Sequence, residues 1–267
     1  MTIKIIMAGP RGKMGSESIQ MIENEPNFEL IACIDRKNNG KKLNEVNNLP
    51  DLDVPIYENP ETCFLENGAD VFLDLTIPTV GFEHTKIALT HEVRTVIGTS
   101  GFTNDQIEKL SMIAKKRKVG CIIAPNFAIG AILMMQFAKK AAKYFKDVEI
   151  IEKHHDQKLD APSGTSLKTI DMIKEVRQTE KQGHPNEYEH IKGVRGGEIE
   201  GIRIHSVRLP GLVAHQEVIF GGPGQALTIK HDSFNRKSFM EGIHLAINHV
   251  MELQELVYGL ENIIDPM

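Results

Sequence analysis

Residues 3–15 read IKIIMAGPRGKMG, an apolar run followed directly by a loop that contains Gly9, Gly12 and Gly15. The run IKIIMA predicts a buried parallel strand, because strands covered on both faces are apolar almost throughout. Residues 13–24 then have helical character. A glycine-rich turn between a strand and a helix can bind a pyrophosphate, since the backbone approaches closely and the helix end offers N–H groups. The segment therefore predicts a dinucleotide-binding loop.

The glycine spacing differs from the commoner G-x-G-x-x-G because Arg11 occupies the place of the middle glycine. Residues 29–34 (ELIACI) predict the strand that completes a βαβ unit, and they lead into Asp35. Asp35 is placed to accept hydrogen bonds from ribose hydroxyls, whereas Arg36 and Lys37 can accommodate a 2′-phosphate. Both groups in one turn predict that NADH and NADPH are both used. The alternative interpretation is a turn that merely requires glycine.

Strands and helices continue to alternate as far as residue 127, which predicts a doubly wound parallel sheet of Rossmann type. In such a sheet the loops after the strands form the ligand crevice. Further strands are predicted near residue 56 and at 71–75, 93–97 and 121–124, with helices at 82–91 and from 103 or 104. Two of these loops are expected to line the nicotinamide side, unless they serve only as a turn or a helix cap; they contain Gly98, Thr99 and Ser100, and Ala124, Pro125, Asn126 and Phe127.

After residue 128 the strands no longer alternate regularly with helices, and several predicted strands follow one another along the chain. This pattern predicts a smaller α+β domain with a mixed, mostly antiparallel open sheet. The predicted elements are helices at 128–145 and 166–178, an exposed loop at 179–200, and strands at 147–153, 202–209, 214–221 and 226–231. An amphipathic helix at 238–258 is expected to pack its apolar stripe on the Rossmann half. We therefore predict a dinucleotide-binding domain at 1–127 and 238–267, and a substrate-binding domain at 128–237.

The densest polar cluster is EKHHDQKLDAPSGT, residues 152–165. His154 and His155 are adjacent and would point to opposite sides of an extended chain. A histidine can donate or accept a proton near neutral pH. Lys158 supplies a cation for a carboxylate, or a second proton donor. The cluster thus predicts a site where an anionic substrate is protonated.

The same cluster ends in Ser163, Gly164 and Thr165, which run into a predicted helix N-terminus. The N–H groups of such a turn can bind an anion. A metal site is the competing functional interpretation, but adjacent histidines without a nearby cysteine lack the usual ligand spacing, so no metal is expected. A solvated charged loop is the structural alternative.

Composition restricts the partners. The formal net charge of −5 does not favour nucleic acid, which selects basic proteins. No apolar run approaches the length of a membrane-spanning helix, and the N-terminus lacks the features of a signal peptide. The three cysteines do not form a C-x-x-C pair and are expected to be buried thiols. These features predict a soluble cytoplasmic protein.

Several motifs resemble the 4-hydroxy-tetrahydrodipicolinate reductase family, also called dihydrodipicolinate reductase. They are GPRGKMG (9–15), LDLT (73–76), GTSGF (98–102), APNF (124–127) and EKHHDQKLDAPSGT (152–165), with RGG (195–197) and HDSFNRKSF (231–239) further along. The HH-x-x-K-x-DAPSGT pattern is highly specific for this family. The resemblance implies NADH- or NADPH-dependent reduction of a small dicarboxylate to tetrahydrodipicolinate, in the diaminopimelate route to lysine. It also implies a homotetramer built through the sheet of the second domain.

The resemblance also implies roles for individual residues. His154 corresponds to the family's proton donor and acceptor, and Lys158 to a proton donor and carboxylate partner. His155, Gly164 and Thr165 correspond to substrate contacts, and Ser163 is expected to join them. The implied cofactor contacts are Gly9, Pro10, Arg11, Gly12, Lys13, Met14, Asp35, Arg36, Gly98, Thr99, Ser100, Ala124, Pro125, Asn126 and Phe127. Lys13 stands where the family often has arginine.

Two other hypotheses fit part of the pattern. One is a different two-domain NAD(P) oxidoreductase acting on another small acid, which the HH-x-x-K-x-DAPSGT segment argues against. The other is a cofactor-sensing regulatory protein with an inactive site. The presence of both His154 and Lys158 argues against that second hypothesis.

Overall fold

The computed structural model describes residues 2–178 and 181–264. Its described residues divide into two compact units. The first unit runs up to Phe127 and resumes at Phe239, and the second is Ala128–Ser238.

The first unit contains a parallel sheet in the strand order β12-β6-β5-β4-β1-β2-β3. Its strands are β1 (Ile3–Ala8), β2 (Phe28–Ile34), β3 (Ile56–Tyr57), β4 (Val71–Asp74), β5 (Arg94–Ile97), β6 (Cys121–Ile123) and β12 (Leu256–Tyr258). The connecting helices are α1 (Lys13–Asn24), α2 (Pro60–Glu66), α3 (Pro78–Thr90) and α4 (Asn104–Arg117). The apolar runs became central strands because both of their faces are covered: Ile5, Ile6 and Met7 have no exposed surface. The predicted Rossmann-type sheet is confirmed.

Local signals explain where the helices of this unit begin. Thr103 is the N-cap of α4, and its side chain accepts a hydrogen bond from the backbone N–H of Gln106. Helix α3 begins at Pro78, earlier than the predicted residue 82, because proline is favoured in a first helical turn. Its fixed φ suits the helix and its missing N–H would have no partner there.

The C-terminal segment corrects one prediction. The helix predicted at 238–258 is α7 (Met240–Val250) only, and Leu256–Tyr258 forms β12, parallel to β6. Apolar residues at the end of the helical stripe also fit a short strand, and the edge of β6 has backbone groups that need partners. The expected packing of the helix is confirmed, since α7 contacts α1, β5 and β6.

The second unit contains a mixed sheet in the order β11-β10-β7-β9-β8, in which only the β7–β9 pair is parallel. Its strands are β7 (Asp147–His154), β8 (Gly197–Ile199), β9 (Ile202–Arg208), β10 (Ala214–Gly222) and β11 (Gln225–Ser233), and its helices are α5 (Ile129–Ala141) and α6 (Gly164–Lys174). The predicted mixed, mostly antiparallel sheet is confirmed. Strand β8 lies inside the segment predicted as an exposed loop. These residues form a strand because they pair with β9 at the sheet edge.

The two faces of this sheet differ. Helix α5 packs against β10, β11 and α6, and Val148, Ile150, Val218 and Phe220 are buried on the covered face. Residues on the opposite face, such as Ile151 and Ile219, are only half-buried. This partly exposed side is the open face of the sheet.

The three cysteines are buried and not in disulfides, as expected. Burial raises the pKa of the Cys63 thiol to about 12, which makes it unreactive. Across residues 2–178 and 181–264, no helix combines the length and apolar character needed to cross a membrane.

Candidate active site

In the loop after β1, the backbone geometry requires glycine at two positions, Gly9 and Gly15. Gly9 has a φ of +87°, in the left-handed region that side chains disfavour. A Cβ atom on Gly15 would lie 2.1 Å from the Gly9 carbonyl oxygen. Gly12 is the N-cap of α1 and provides no capping side chain. The amides that open α1 are therefore available to an anion such as a pyrophosphate.

Arg11 pairs with Asp35 at the end of β2. Its Nε donates to Asp35 Oδ2, and its Nη2 donates to Oδ1 at 2.9 Å. The Lys37 amide donates to the same Oδ1, also at 2.9 Å. Burial alone would raise the pKa of Asp35, but the hydrogen bonds from Arg11 and Lys37 outweigh burial and lower it. Asp35 is therefore an ionised acceptor at the mouth of the glycine loop.

A cavity of about 540 Å³ opens beside this pair. Its wall includes Arg36 and Glu58 together with the exposed apolar side chain of Ile77. Clefts of this size, with an apolar wall and a few polar groups, are typical of cofactor sites. The full lining is Gly9, Arg11, Gly12, Ile34, Asp35, Arg36, Glu58, Leu75, Thr76, Ile77, Val80 and His84.

Asp74 joins the loops that follow β4 and β5. Its Oδ1 accepts hydrogen bonds from the Thr76 amide at 3.0 Å, from Thr76 Oγ1 at 2.8 Å and from Thr99 Oγ1 at 2.9 Å. Its Oδ2 lies 3.4 Å from His84 Nδ1. Asp74 is fully buried. The carboxylate therefore fixes Thr99, one of the predicted cofactor residues, relative to the cavity wall.

The remaining predicted cofactor loops are packed tightly. A Cβ atom on Gly98 would lie 2.6 Å from Leu75 Cδ2 and 2.8 Å from Phe127 Cε2. A Cβ atom on Gly242 of α7 would lie 1.9 Å from the Phe127 carbonyl oxygen. The loop that ends in Phe127 is thus packed closely against both glycines, and at Gly242, where the close neighbour is backbone, only glycine fits.

In the second unit, His154 is the last residue of β7 and lies beside Glu152. The Glu152 side chain is fully buried and accepts a hydrogen bond from His154 Nδ1. Arg208 donates to both Glu152 oxygens, at 2.9 and 2.7 Å. Burial alone would raise the pKa of Glu152, but the hydrogen bonds from His154, Arg208 and Ser206 lower it to about 2. An ionised acceptor on Nδ1 leaves Nε2 as the nitrogen that exchanges protons.

The loop after His154 is tied to the same cluster. Arg208 Nη2 also donates to the Asp160 carbonyl oxygen at 2.7 Å. Lys158 Nζ lies 2.7 Å from Asp160 Oδ1, and the Lys158 amide donates to the His155 carbonyl oxygen at 3.2 Å. His155 itself is exposed. Asp160 and Arg208 therefore connect Lys158 to the Glu152 carboxylate that holds His154, and the ammonium group of Lys158 already has a carboxylate beside it.

A buried polar chain supports the turn at the start of α6. Ser163 is the N-cap, and its Oγ accepts a hydrogen bond from the Ser166 amide at 3.2 Å. Ser166 Oγ donates to Gln216 Oε1 at 2.7 Å, and Gln216 Nε2 donates to Thr169 Oγ1 at 2.8 Å. Since Gln216 belongs to β10, the central part of the sheet anchors the turn that carries Gly164 and Thr165.

The structure thus gathers the predicted residues into two groups. The predicted cofactor residues lie in loops after β1, β2, β5 and β6, where parallel strands end at one edge of the sheet, or, for Lys13 and Met14, in the first turn of α1. The predicted catalytic and substrate residues lie between the end of β7 and the first turn of α6. Within the described residues, no group of three or more His, Cys, Asp or Glu side chains is arranged to hold a metal ion.

The sequence interpretation missed several supporting residues: Asp74, Arg208 and Gln216, and the role of Glu152. Glu152 had a detectable signal, because residues two apart on a strand lie on the same face, and Glu152 is two residues before His154. Arg208 had no such signal, since it is opposite His154 only through the pairing of β7 with β9.

Comparison with known proteins matches both halves of the chain to one family. Residues 3–127 match the family described as "Dihydrodipicolinate reductase, N-terminus", and residues 130–264 match "Dihydrodipicolinate reductase, C-terminus". The chain is 60% identical over 263 residues to the 4-hydroxy-tetrahydrodipicolinate reductase of Bacillus cytotoxicus, covering 98% of this chain and 99% of the relative. It is also 60% identical over 265 residues to the enzyme of that name from Oceanobacillus iheyensis, covering 99% and 100%.

Solved structures give the same result. A dipicolinate-bound dihydrodipicolinate reductase from Paenisporosarcina sp. TG-14 has a TM-score of 0.91 and 57% identity, with 99% of this chain and 100% of that chain covered. An amine dehydrogenase from Mycobacterium smegmatis shares only the fold, at 13% identity and a TM-score of 0.65, with 98% and 96% covered. With both halves of its length matched, the chain belongs to the dihydrodipicolinate reductase family.

Proposed function

We propose that this chain reduces 4-hydroxy-tetrahydrodipicolinate, by way of dihydrodipicolinate, to tetrahydrodipicolinate in the diaminopimelate route to lysine. The observation that carries the proposal is the hydrogen bond from His154 Nδ1 to the buried Glu152 carboxylate, which Arg208 also binds. It occurs in a chain whose two halves both match the family. A sensor with an inactive site would have no need of this support. The dipicolinate bound to the relative from Paenisporosarcina is a dicarboxylate, which favours a substrate of the same class.

The cofactor is a nicotinamide dinucleotide, and we propose that both NADH and NADPH serve. When bound, the nicotinamide supplies the hydride. The Gly9–Gly15 loop and the start of α1 would hold the pyrophosphate, and Asp35 would accept from the adenosine ribose. Arg36, exposed in the cavity wall, would meet a 2′-phosphate.

The second unit would handle the substrate. His154 Nε2 delivers the proton that balances the hydride, because Nδ1 is occupied by Glu152. Lys158 and the first turn of α6 would bind the two carboxylates, with Ser163, Gly164 and Thr165 held by the chain of hydrogen bonds to Gln216. Lys158 would then exchange its contact with Asp160 for one with the substrate.

Turnover tests the proposal directly. The purified chain is mixed with NADH or NADPH and with product freshly made from pyruvate and aspartate semialdehyde by the preceding enzyme, and loss of nicotinamide absorbance is followed. Oxidation that depends on every component is expected. Tight cofactor binding without oxidation would instead favour another substrate or the sensor hypothesis.

We also propose that the chain works in the cytoplasm as a homotetramer. The buried, unpaired thiols suit a reducing compartment. The open face of the second sheet offers half-buried aliphatic and charged side chains to another copy. Light scattering should then give four times the 29.9 kDa chain mass, and a monomer mass would contradict this assembly.

Replacing Arg36 by alanine is expected to weaken NADPH binding by about tenfold, the usual worth of a charged hydrogen bond, and to change NADH binding little. Only NADPH carries the phosphate that Arg36 would meet. Calorimetric titration of both cofactors measures the two affinities. Arg117→Ala is a matched control, because this guanidinium pairs with Glu92 near the end of α4. Equal losses for both cofactors would contradict the role given to Arg36.

A further inference from the structure

We propose that Arg11 determines how well the cofactor site accepts a 2′-phosphate, by neutralising the carboxylate of Asp35 rather than by binding the phosphate. The inference rests on the proposed cofactor site and adds a residue that controls its specificity. Under this proposal, the presence of Arg11 where the commoner glycine-rich motif has its middle glycine is a functional feature of the loop.

Geometry supports the pairing. The Arg11 guanidinium reaches Asp35 through two nitrogens, a bidentate arrangement that fixes orientation as well as charge. The Asp35 side chain is 4% exposed and that of Arg11 is 39% exposed, so the arginine covers the carboxylate on its open side. Arg11 has no left-handed φ, so nothing in the backbone requires glycine at this position.

Counting acceptor positions explains why NADH is still accommodated. An ionised carboxylate offers about four positions for hydrogen bonds. Arg11 occupies two of them and the Lys37 amide a third. About one position therefore remains on Asp35, enough for a ribose hydroxyl.

Charge explains why NADPH becomes acceptable. Apart from His84, the titratable side chains lining the cavity are Arg11, Arg36, Asp35 and Glu58, whose charges cancel. Without Arg11 the lining would carry net negative charge. A 2′-phosphate brings about −1.5 to −2 charges and would be repelled, whereas a 2′-hydroxyl would not.

A double-mutant cycle tests the mechanism by calorimetric titration of NADPH and NADH without substrate. Arg11→Gln is expected to weaken NADPH about tenfold and NADH by less than about twofold. In the Asp35→Asn background the same substitution should change NADPH affinity by less than about twofold, since no carboxylate is left to neutralise. Arg11→Lys keeps the charge and should retain most of the NADPH affinity.

Other results would overturn the proposal. An undiminished NADPH loss in the Asp35→Asn background would make Arg11 a direct phosphate ligand. Equal losses for NADPH and NADH would indicate damage to the loop. Lys13→Gln, which removes a cation from the first turn of α1, is the control and should affect both cofactors alike through their common pyrophosphate. Because these titrations need no substrate, a chain that bound both cofactors but reduced nothing would contradict the proposed function and leave the Arg11 result intact.

Discussion

Replacing His154 by alanine is expected to lower kcat by roughly 10²–10⁴-fold, the usual contribution of a general acid or base. Its Nε2 is the nitrogen left for proton exchange once Nδ1 is bound to Glu152. The substrate KM should change much less, because the carboxylates would be held by other groups. Initial rates with saturating cofactor measure both constants.

Two further variants make this result specific. Glu152→Gln keeps the imidazole but replaces the obligate acceptor by an amide that can also donate, so the fixed tautomer is lost and an intermediate kcat is expected. His190→Ala removes an exposed histidine whose ring meets that of Tyr188 edge to face, and it should leave kcat unchanged. A near-normal kcat in His154→Ala would remove this residue from the mechanism.

Replacing Gly15 by alanine is expected to weaken both cofactors by roughly 10²-fold, which corresponds to about 3 kcal/mol of overpacking strain borne by the loop. The new methyl group would lie 2.1 Å from the Gly9 carbonyl oxygen and close to the Pro10 Cα. Backbone atoms cannot move away as a flexible side chain can, so the turn itself must shift. Calorimetric titration of NADH and NADPH, with thermal unfolding measured alongside, tests the effect.

Gly68→Ala is the matched control for this variant. A Cβ atom at Gly68 would have no neighbour within 4 Å, and its φ is not left-handed. Cofactor affinity and thermal stability should therefore stay at the values of the unmodified chain. Wild-type affinity in a folded Gly15→Ala protein would mean that the loop can shift at no cost to binding.

The fold was largely predictable, because its signals are local. Continuous apolar runs and the glycine loop specify strands and a strand–helix turn over a few residues. The prediction was wrong for Leu256–Tyr258, where the same apolar residues fit a helix or a strand and only the edge of β6 favours the strand. It was wrong again for β8, which exists because it pairs with β9.

In the candidate site, too, the features with local signals were predictable and those that depend on distant residues were not. The sequence alone indicated His154, Lys158 and the Ser163–Gly164–Thr165 turn, since their residue types and spacing already imply proton transfer and anion binding. It did not indicate the contacts of Arg208 or Gln216, which are 56 and 50 residues from Glu152 and Ser166, respectively.

The amino-acid sequence by itself determined the class of sheet, the glycine loop and the chemistry-bearing side chains, because each depends on neighbours along the chain. Only the tertiary structure decided which polar groups meet: Arg11 with Asp35, Glu152 with His154 and Arg208, and Asp74 with Thr99. Electrostatic and hydrogen-bond energies depend on distances of a few ångströms and on burial. Those quantities are set by strand register and packing, which bring together residues far apart in the chain.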